Sequence, residues 1–447
     1  MNRVKFKYFE NPREIFSLIE NRDWSILLDS NQNKFVRQSF DMMTSDPTIK
    51  IYGRGDKSVV EDEKSKKQIQ SDPISLLHEY MKDSFNQDDS LPFTGGAIGF
   101  LSYDQGNLYE CIDQKKDDFD IPYIAFGIYD WALIINHDVK ETILIYKKNT
   151  ELVKKIKNQL ESFEEDNRKY HFEINSNYKS NLSYEEYVDK FNKIKSYIVE
   201  GDCYQINFSQ RFSLNYGGSC WGIYKKLSES YGAPYSAYLN YPFAKIMCFS
   251  PERFINQNGK EVETKPIKGT RPVSLDEKEN SQMINELKDS DKEKAENLMI
   301  VDLLRNDFGK NCDFGSVEVS DLFKIETFAN VHHLVSTVKG KLSKEEDIFK
   351  LLRDCFPGGS ITGAPKIRAM QIINELEMNN RSIYCGAIGY ISTNYKSDFN
   401  IAIRTVLSVD SNLYFWGGGG ITFDSEVESE YAETIAKIKP LLNSLRR

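Results

Sequence analysis

A seven-residue segment in the first quarter of the chain is nearly repeated close to its end. Residues 96–102 read Gly-Ala-Ile-Gly-Phe-Leu-Ser, and residues 386–392 read Gly-Ala-Ile-Gly-Tyr-Ile-Ser. Both have the composition of a glycine-containing strand. Strands are predicted after each copy, as a hairpin at 129–136 and 142–146 and as one strand at 401–409. The recurrence predicts two related β-rich halves, the alternative being chance within the small vocabulary of strand sequences.

The length of 447 residues favours more than one structural unit. We predict an N-terminal subdomain at 1–165, a linker at 166–182 that is rich in Asn, Ser, Lys and Tyr, and a second domain at 183–447. Ser183 and Glu186 have the spacing of a capping box and predict a helix that Gly201 ends. In the N-terminal part we expect a buried strand at 24–30, an exposed loop at 57–71, and helices at 73–85 and 148–165.

Composition restricts the class of function. There are 67 acidic and 58 basic residues without a long basic block, which argues against a nucleic-acid partner. The seven cysteines are scattered without a Cys-x-x-Cys pair, which argues against a disulfide framework or a structural zinc site. No apolar signal core or membrane-length apolar run is present. We therefore expect a soluble protein of the reducing cytoplasm.

The stretch from Ser250 to Pro272 pairs one carboxylate with one amine. Glu252 and Lys268 flank a turn signal at Asn256 and Gly259, so a hairpin would bring them face to face. Such a pair suits acid and nucleophile chemistry. An edge hairpin with an ordinary salt bridge is the alternative.

A second carboxylate lies where a helix enters the core. An acidic, lysine-rich loop is predicted at 274–290, followed by a helix at 291–307 with Ser290 and Glu293 as a capping box. Glu296 lies at the edge of the apolar part of that helix. A buried carboxylate must meet a cation or water, so an ion pair is the alternative to a functional role.

Two glycine-rich segments are predicted as loops. Residues 356–366 run into a helix with Pro365 in its first turn, and free amides there form an anion seat, or else a plain tight turn. Arg404 is a lone cation within a predicted apolar strand, and guanidinium grips carboxylates with two parallel bonds. Residues 416–421 form the second glycine loop. The last helix, with Ser425 and Glu428 as its cap, carries Glu430, Glu433 and Lys437 on one face, which a solvated surface would also explain.

These motifs resemble those of the chorismate-utilising enzymes. The resemblance is carried by Ser-Pro-Glu-Arg-Phe at 250–254 and Pro-Ile-Lys-Gly-Thr-Arg-Pro at 266–272, and it is dense over 183–440. It implies an α+β, anthranilate-synthase-like fold with two β-sheets packed as a sandwich and helices outside. In the anthranilate branch the position of Lys268 is typically alanine, whereas the aminodeoxychorismate branch carries lysine there.

The resemblance also implies roles for individual residues. Glu296, Glu430 and Glu433 match the Mg²⁺ ligands of the family. The positions that match substrate-binding residues are Gly359, Ser360, Thr362, Gly363, Arg404, Gly417, Gly418, Gly419, Lys437, Thr270 and His333. Chorismate is a small dianion, so fixed cations and a divalent metal ion suit it.

The implied reaction is amination of chorismate at C4. Lys268 would attack C2 while Glu252 protonates the departing C4 hydroxyl, and ammonia would then displace the lysine. We expect a separate glutamine amidotransferase subunit as the ammonia source. An anthranilate-forming enzyme and a non-catalytic chorismate or tryptophan sensor are the alternatives.

A tryptophan pocket is also conceivable. The family's regulatory motif is Leu-Leu-Glu-Ser, whereas residues 27–30 read Leu-Leu-Asp-Ser. The shorter Asp29 makes regulation an open question. The candidate pocket residues are Ser30, Ser39, Phe40, Pro234, Tyr235 and Ser236.

Overall fold

The computed structural model describes residues 1–31, 39–86, 88, 90–164, 168–328 and 331–446. The elements of its N-terminal part are β1 (Asn2–Phe6), α1 (Pro12–Phe16), β2 (Ser25–Asp29), β3 (Phe40–Thr44), β4 (Ile49–Arg54), β5 (Lys57–Asp62), β6 (Lys66–Gln70), α2 (Pro73–Met81), β7 (Gly96–Leu101), α3 (Tyr103–Tyr109), β8 (Ile124–Tyr129), β9 (Trp131–Asn136), β10 (Glu141–Tyr146) and α4 (Glu151–Glu161).

The remaining elements, in chain order, are β11 (Phe172–Ile174), β12 (Lys179–Ser180), α5 (Tyr184–Val199), β13 (Gln205–Gly218), α6 (Cys220–Tyr231), β14 (Tyr235–Asn240), β15 (Lys245–Ser250), β16 (Arg253–Asn258), β17 (Glu261–Lys265), β18 (Ile267–Pro272), α7 (Glu277–Asp289), α8 (Asp291–Gly309), β19 (Glu318–Phe328), β20 (Val331–Lys341), α9 (Ile348–Cys355), β21 (Gly363–Ala364), α10 (Lys366–Leu376), β22 (Ala387–Ser392), β23 (Lys396–Ile401), β24 (Thr405–Val409), β25 (Asn412–Ile421) and α11 (Val427–Leu445).

The described strands form two large antiparallel sheets. The first runs in the order β1-β10-β9-β3-β2-β14-β15-β24-β25-β13-β11, with β12 and β21 also pairing to β13. The second runs β18-β20-β17-β16-β23-β22-β7-β8-β4-β5-β6, with β19 pairing to β20. Each sheet therefore takes its strands from both parts of the chain. The α+β sandwich architecture is confirmed.

The strand orders have an internal two-fold relation. In the first sheet, β1-β10-β9-β3-β2 on one side is matched by β13-β25-β24-β15-β14 on the other. In the second sheet the two near-repeats, β7 and β22, are antiparallel neighbours, and Gly99 lies directly opposite Gly389. Two related β-rich halves are confirmed by this topology.

The main core lies between the two sheets. On β2, Ile26 points into the cluster shared with Ile98 and Phe399 of the second sheet, whereas the next residue, Leu27, packs in a second cluster with Trp221 of α6. This period of two is that of a strand buried on both faces. Helices therefore cover the outer face of the first sheet. Because both faces of the sheet are packed, the loops between its strands are held in place.

Local helix signals agree with the structure where a cap is encoded. The Ser183–Glu186 capping box is present at α5, and helices are found within the predicted 73–85 and 148–165 segments. The proposed linker contains β11 and β12, which pair with β13. Division of the chain at 165 and 183 stays a prediction about sequence segments, since both sheets run across it. None of the helices in the described ranges combines the length and apolarity needed to cross a bilayer.

Several predicted loops are regular structure. Residues 57–71 form the β5–β6 hairpin, whose charged side chains lie at a sheet edge. Residues 274–290 contain α7, where Leu287 is buried and the other side chains are largely exposed. These two predictions were wrong because a high content of charged residues was interpreted as the mark of a loop. Charged side chains are equally compatible with edge strands and with a surface helix.

Candidate active site

Lys268 lies on β18, beyond the predicted hairpin. The hairpin consists of β16 and β17 and turns at Gly259, and β18 then pairs with β20. Glu252 and Lys268 therefore do not face each other across the hairpin, which corrects that part of the prediction. The β18–β20 register shifts between Lys268 and Thr270, and Gly269 adopts a φ of 68° there. Such a bulge re-aims the neighbouring side chains. Lys268 is half-buried, and its amine lies within hydrogen-bond distance of the Ser360 carbonyl oxygen.

Glu252 lies in the connection between β15 and β16 and is 5% exposed. Its backbone N–H donates to Ser250 Oγ at 3.1 Å. Burial raises the pKa of the Glu252 carboxyl, although hydrogen bonds from the Ser360 hydroxyl and the Ile267 N–H and the charge of Lys268 oppose that rise. Burial likewise lowers the pKa of Lys268, which the charge of Glu252 opposes. Burial thus shifts both groups toward their uncharged forms, and the charge of each opposes that shift in the other.

The loop before α10 is held by its own hydrogen bonds. Lys268 Nζ donates to the Ser360 carbonyl oxygen at 3.2 Å. Thr362 Oγ1 donates to the carbonyl oxygens of Gly358 and Gly359, each at 3.2 Å. A Cβ atom at Gly359 would lie 2.0 Å from Leu303 Cδ2 on α8, so any larger residue would displace that side chain. Gly363 pairs with Ile206 of β13. The structure therefore brings this loop against Lys268.

Two buried ion pairs that the sequence did not reveal support the same loop. Arg381, 1% exposed, pairs with Glu377 at 2.7 Å and donates to the Ile361 carbonyl oxygen at 2.9 Å. Lys366 pairs with Asp307 of α8 at 2.6 Å. Asp307 and Lys366 come from different segments, so spacing along the chain gives no signal for their pair. Glu377 and Arg381 are four residues apart, but that spacing does not show that Arg381 also contacts the loop.

Arg404 lies in a break between strands. The predicted strand at 401–409 consists of β23 and β24 with residues 402–404 between them, and Arg404 has a φ of 51°. This positive φ ends the strand, so its placement inside a continuous strand was wrong. Burial lowers the pKa of the guanidinium. No carboxylate in the described part of the chain forms an ion pair with it, which leaves the cation available to an anionic ligand.

His333 and Thr270 lie on neighbouring strands beside Lys268. His333 Nδ1 is 3.0 Å from Thr270 Oγ1 and 3.3 Å from the Gly269 carbonyl oxygen. Burial lowers the pKa of His333 to about 4, and the charge of Arg404 acts in the same direction. The ring is therefore neutral at pH 7.

The second predicted glycine loop is a strand. Gly417, Gly418 and Gly419 lie in β25 and pair with β13. A Cβ atom at Gly417 would lie 2.2 Å from the Thr434 carbonyl oxygen of α11. The glycines were interpreted as a loop, but their physical role is to let α11 pack directly on the strand. The predicted cap is also absent, because Ser425 Oγ donates to Glu430 Oε1 at 2.6 Å instead.

Two of the three candidate metal ligands converge at Gly419. A Cβ atom there would be 3.0 Å from Glu430 Oε2 and 3.3 Å from Glu433 Oε1. Burial raises the pKa of Glu430, and the adjacent Glu433 raises it further. Burial also raises the pKa of Glu296, with Glu293 and Glu430 adding to that rise. Carboxylates that raise one another's pKa in this way are typical of a cation site.

The donor set fits Mg²⁺, which takes carboxylate oxygens and keeps several waters. Lys437 Nζ, however, lies 2.6 Å from Glu433 Oε1 and donates to the Gly418 carbonyl oxygen at 2.7 Å. Among the described residues, no three Asp, Glu, His or Cys side chains are close enough together to hold a metal ion. The carboxylates therefore fit the ion in type, although the described structure does not gather all three of them around one point.

The candidate tryptophan-pocket residues are partly gathered. Asp29, which precedes Ser30, pairs with Ser236 across β2 and β14. Ser30 Oγ donates to Asp41 Oδ1 at 2.5 Å. Asp29 Oδ2 is bound by Arg13 Nη1 at 3.1 Å and by Tyr224 at 3.0 Å. The segment between Ser30 and Ser39 lies largely outside the described residues, so tryptophan binding stays a prediction.

A family model described as chorismate binding enzyme matches residues 27–443 of the chain. The chain belongs to the chorismate-binding enzymes. Among curated members of that family, aminodeoxychorismate synthase component 1 of Escherichia coli (strain K12) is 39% identical over 440 residues, covering 97% of this chain and 95% of that protein. Anthranilate synthase component 1 of Aquifex aeolicus (strain VF5) is 34% identical over 473 residues, covering 98% and 92%.

Solved structures of chorismate-binding enzymes show the same fold. The crystal structure of anthranilate synthase component I from Streptococcus pneumoniae TIGR4 matches with a TM-score of 0.78 and 30% identity, covering 92% of this chain and 93% of that one. The anthranilate-synthase-like fold is therefore confirmed. Relatives of both product types are similar to this chain, so the product has to be inferred from the site.

Proposed function

We propose that this chorismate-binding enzyme converts chorismate and ammonia to 4-amino-4-deoxychorismate and water. The observation that carries the proposal is a half-buried lysine, Lys268, whose amine lies close enough to Glu252 for their charges to interact. An alanine at this position, as in the anthranilate branch, has no nucleophile to offer. The names of the two relatives are consistent with a chorismate substrate, but they indicate different products.

The proposed reaction has two displacement steps. The Lys268 amine forms a bond to C2 of the ring, the two ring double bonds shift, and the C4 hydroxyl leaves as water with a proton from Glu252. Ammonia then bonds to C4, the double bonds shift back, and the C2–nitrogen bond breaks to release Lys268. Glu252 recovers a proton from the incoming nitrogen. The first step requires a neutral amine and a protonated acid, and burial shifts the pKa values of Lys268 and Glu252 in those directions. The second step starts from the Glu252 carboxylate that the first one leaves.

The cations and main-chain donors of the site are complementary in charge to the dianionic substrate. Arg404 supplies a planar donor pair for one carboxylate, and the amides of the loop before α10 supply further donors. Glu430 and Glu433, with Glu296 nearby, would hold Mg²⁺, which neutralises a ring carboxylate when bound. Lys437 adds a cation next to these glutamates.

The proposal includes a partner and a compartment. Ammonia would come from a separate glutamine amidotransferase subunit, as the designation "component 1" of the relatives suggests. All seven cysteines are free thiols, which suits a reducing cytoplasm. Free ammonia at high pH replaces glutamine and the partner in the assay below.

Product identification tests the proposal. The purified chain is incubated with chorismate, Mg²⁺ and an ammonium salt, and the products are separated and identified by mass and ultraviolet spectrum. We expect 4-amino-4-deoxychorismate with retention of the enolpyruvyl group. Formation of anthranilate and pyruvate would overturn the proposal in favour of the anthranilate reaction, and no consumption of chorismate would favour a binding protein.

Exchange of Arg404 for lysine tests how substrate is held. We expect Arg404→Lys to raise the KM for chorismate roughly 10- to 100-fold, because an ammonium group cannot make two parallel bonds to a carboxylate. Steady-state kinetics measure the effect. Arg368→Lys is the matched control, since Arg368 forms a two-bond pair with Asp202 at the surface. An unchanged KM in Arg404→Lys would contradict the assignment.

A further inference from the structure

Ser425 is hydrogen-bonded to one of the candidate metal ligands. Its hydroxyl donates to Glu430 Oε1 at 2.6 Å and accepts the Thr422 N–H at 3.1 Å. Because the main-chain N–H can only donate, the hydroxyl proton of Ser425 is left for the carboxylate. Both residues are buried, with Ser425 4% and Glu430 7% exposed. The Glu430 carboxylate is therefore fixed at one of its two oxygens.

The turn that carries Ser425 connects β25 to α11 and is held by a lysine of α5. Lys195 Nζ donates to three carbonyl oxygens of this turn, those of Thr422, Phe423 and Ser425. The Ser425 N–H also donates to the Thr422 carbonyl oxygen at 3.2 Å. These contacts do not involve the glutamates, so the Ser425 hydroxyl is a donor whose position is set independently of them.

The second oxygen of the Glu430 carboxylate faces another candidate ligand. Glu430 Oε2 lies 3.0 Å from the point that a Cβ atom on Gly419 would occupy, and Glu433 Oε1 lies 3.3 Å from the same point. Among the described residues, Ser425 is the one hydrogen-bond donor to the Glu430 carboxylate. One oxygen is thus engaged by the protein, and the other is open to a cation.

We propose that Ser425 is a positioning residue, which holds Glu430 so that a single oxygen, Oε2, is offered to Mg²⁺. This inference rests on the proposed function, because it concerns the metal ion of the same site. It goes beyond the three glutamates that the resemblance implies as ligands.

The expected consequence is a preference among divalent cations. Mg²⁺ demands a near-octahedral shell of oxygens, whereas Ca²⁺ has a larger and more flexible shell that accepts both oxygens of one carboxylate. Without the Ser425 hydroxyl, the Glu430 side chain can turn and present both oxygens. Loss of the hydroxyl should therefore weaken Mg²⁺ binding more than Ca²⁺ binding.

Metal titrations of the full chain test the inference without turnover. Free Mn²⁺ is followed by electron paramagnetic resonance, first with the metal alone and then with chorismate present and ammonia absent. Displacement of Mn²⁺ gives the affinities for Mg²⁺ and Ca²⁺. We expect Ser425→Ala to weaken Mn²⁺ and Mg²⁺ binding roughly 10- to 100-fold, which is the usual effect of removing an outer-shell partner, and Ca²⁺ binding by a smaller factor.

Two further variants serve as rescue and control. Ser425→Thr keeps the hydroxyl and should bind each ion within about two-fold of the wild-type affinity. Ser228→Ala should leave the metal affinities unchanged, because Ser228 is a buried serine whose hydroxyl donates to the Lys225 carbonyl oxygen of its own helix.

The melting temperature separates positioning from a purely structural role. Ligand binding stabilises the fold by mass action, so the rise in melting temperature on adding Mg²⁺ reports the affinity. We expect this rise to shrink in Ser425→Ala and to be retained in Ser425→Thr. A structural role would lower the melting temperature with and without Mg²⁺ and leave the rise as it is. If Ser425→Ala does not fold, Ser425→Cys replaces it with the same expected losses, because a thiol fills the space but is a weak donor.

Each outcome decides the inference. Unchanged Mn²⁺ affinity in Ser425→Ala, failure of Ser425→Thr to restore it, or equal losses for Mg²⁺ and Ca²⁺ would overturn it. A wild-type chain that binds no Mn²⁺ in either titration would also overturn it, and the product test of the proposed function would still stand. A different wild-type product with the Ser425 pattern intact would overturn the proposed function alone.

Discussion

Lys268→Ala will eliminate the covalent adduct with chorismate and lower ammonia-dependent amination at C4 by on the order of 1,000-fold or more. The reason is that alanine offers no atom to bond C2, so the first displacement has no nucleophile. Quenched reactions analysed by intact-protein mass will show an adduct in the wild type and none in the variant. Liquid chromatography of the small molecules measures the amination rate.

The Lys268 prediction has a matched control on the preceding strand, β17. Lys265 lies three residues earlier, at the end of β17, and its Nζ is 3.7 Å from Glu326 in a partly exposed ion pair. Because such pairs contribute little, Lys265→Ala should leave adduct formation and kcat unchanged. Undiminished C4 amination by Lys268→Ala would show that Lys268 is not the nucleophile.

Glu252→Gln will lower kcat/KM roughly 100- to 10,000-fold, which is the usual contribution of a positioned general acid. Glutamine keeps the shape of the side chain but has no proton to give to the departing hydroxyl. The pH profile will change in form as well. In the wild type, a protonated acid and a neutral amine together carry one proton, so activity falls at low pH when the pair gains a second proton and at high pH when it loses the first.

In Glu252→Gln only Lys268 still titrates. The residual rate should therefore rise with pH to a plateau without a descending limb. The charge of Glu252 raises the pKa of Lys268 in the wild type. Its removal lowers that pKa, so the rise should occur at lower pH than an isolated lysine would give. A bell-shaped profile retained by Glu252→Gln would contradict the role of Glu252 as the acid.

Sequence reasoning succeeded where the signal is local. The capping box at Ser183 needs only two residues that are three positions apart, and it marks the start of α5. The pair of near-repeats gave the two halves, because strand patterns persist in the sequence. Lys268 and Glu252 were selected by short motifs that depend on the chemistry they support. Their relative placement depends on the pairing of β18 with β20, which are far apart in the chain. A short motif cannot predict such a contact.

The errors share one physical cause. Glycine at 417–419 permits a loop, but it also permits close approach of a helix, and only the packing of α11 distinguishes the two. Arg404 was placed within a strand because its neighbours are apolar, although its positive φ separates β23 from β24. The sequence does not show the role of the Arg381–Glu377 pair, because Arg381 also donates to main-chain oxygens of β13 and of the loop before α10. Tertiary contacts decided each of these cases.

Both sheets contain strands of the N-terminal half, although that half holds none of the residues proposed for the reaction. Every residue proposed for the reaction lies between 250 and 437, yet β14 and β22 each have one flank covered by a strand of the N-terminal half, β2 and β7. Without β2 and β7, the edges of β14 and β22 would have unpaired main-chain donors and acceptors. Such exposed strand edges pair readily with other strands. The N-terminal half thus shields two strand edges of the other half from pairing with further chains.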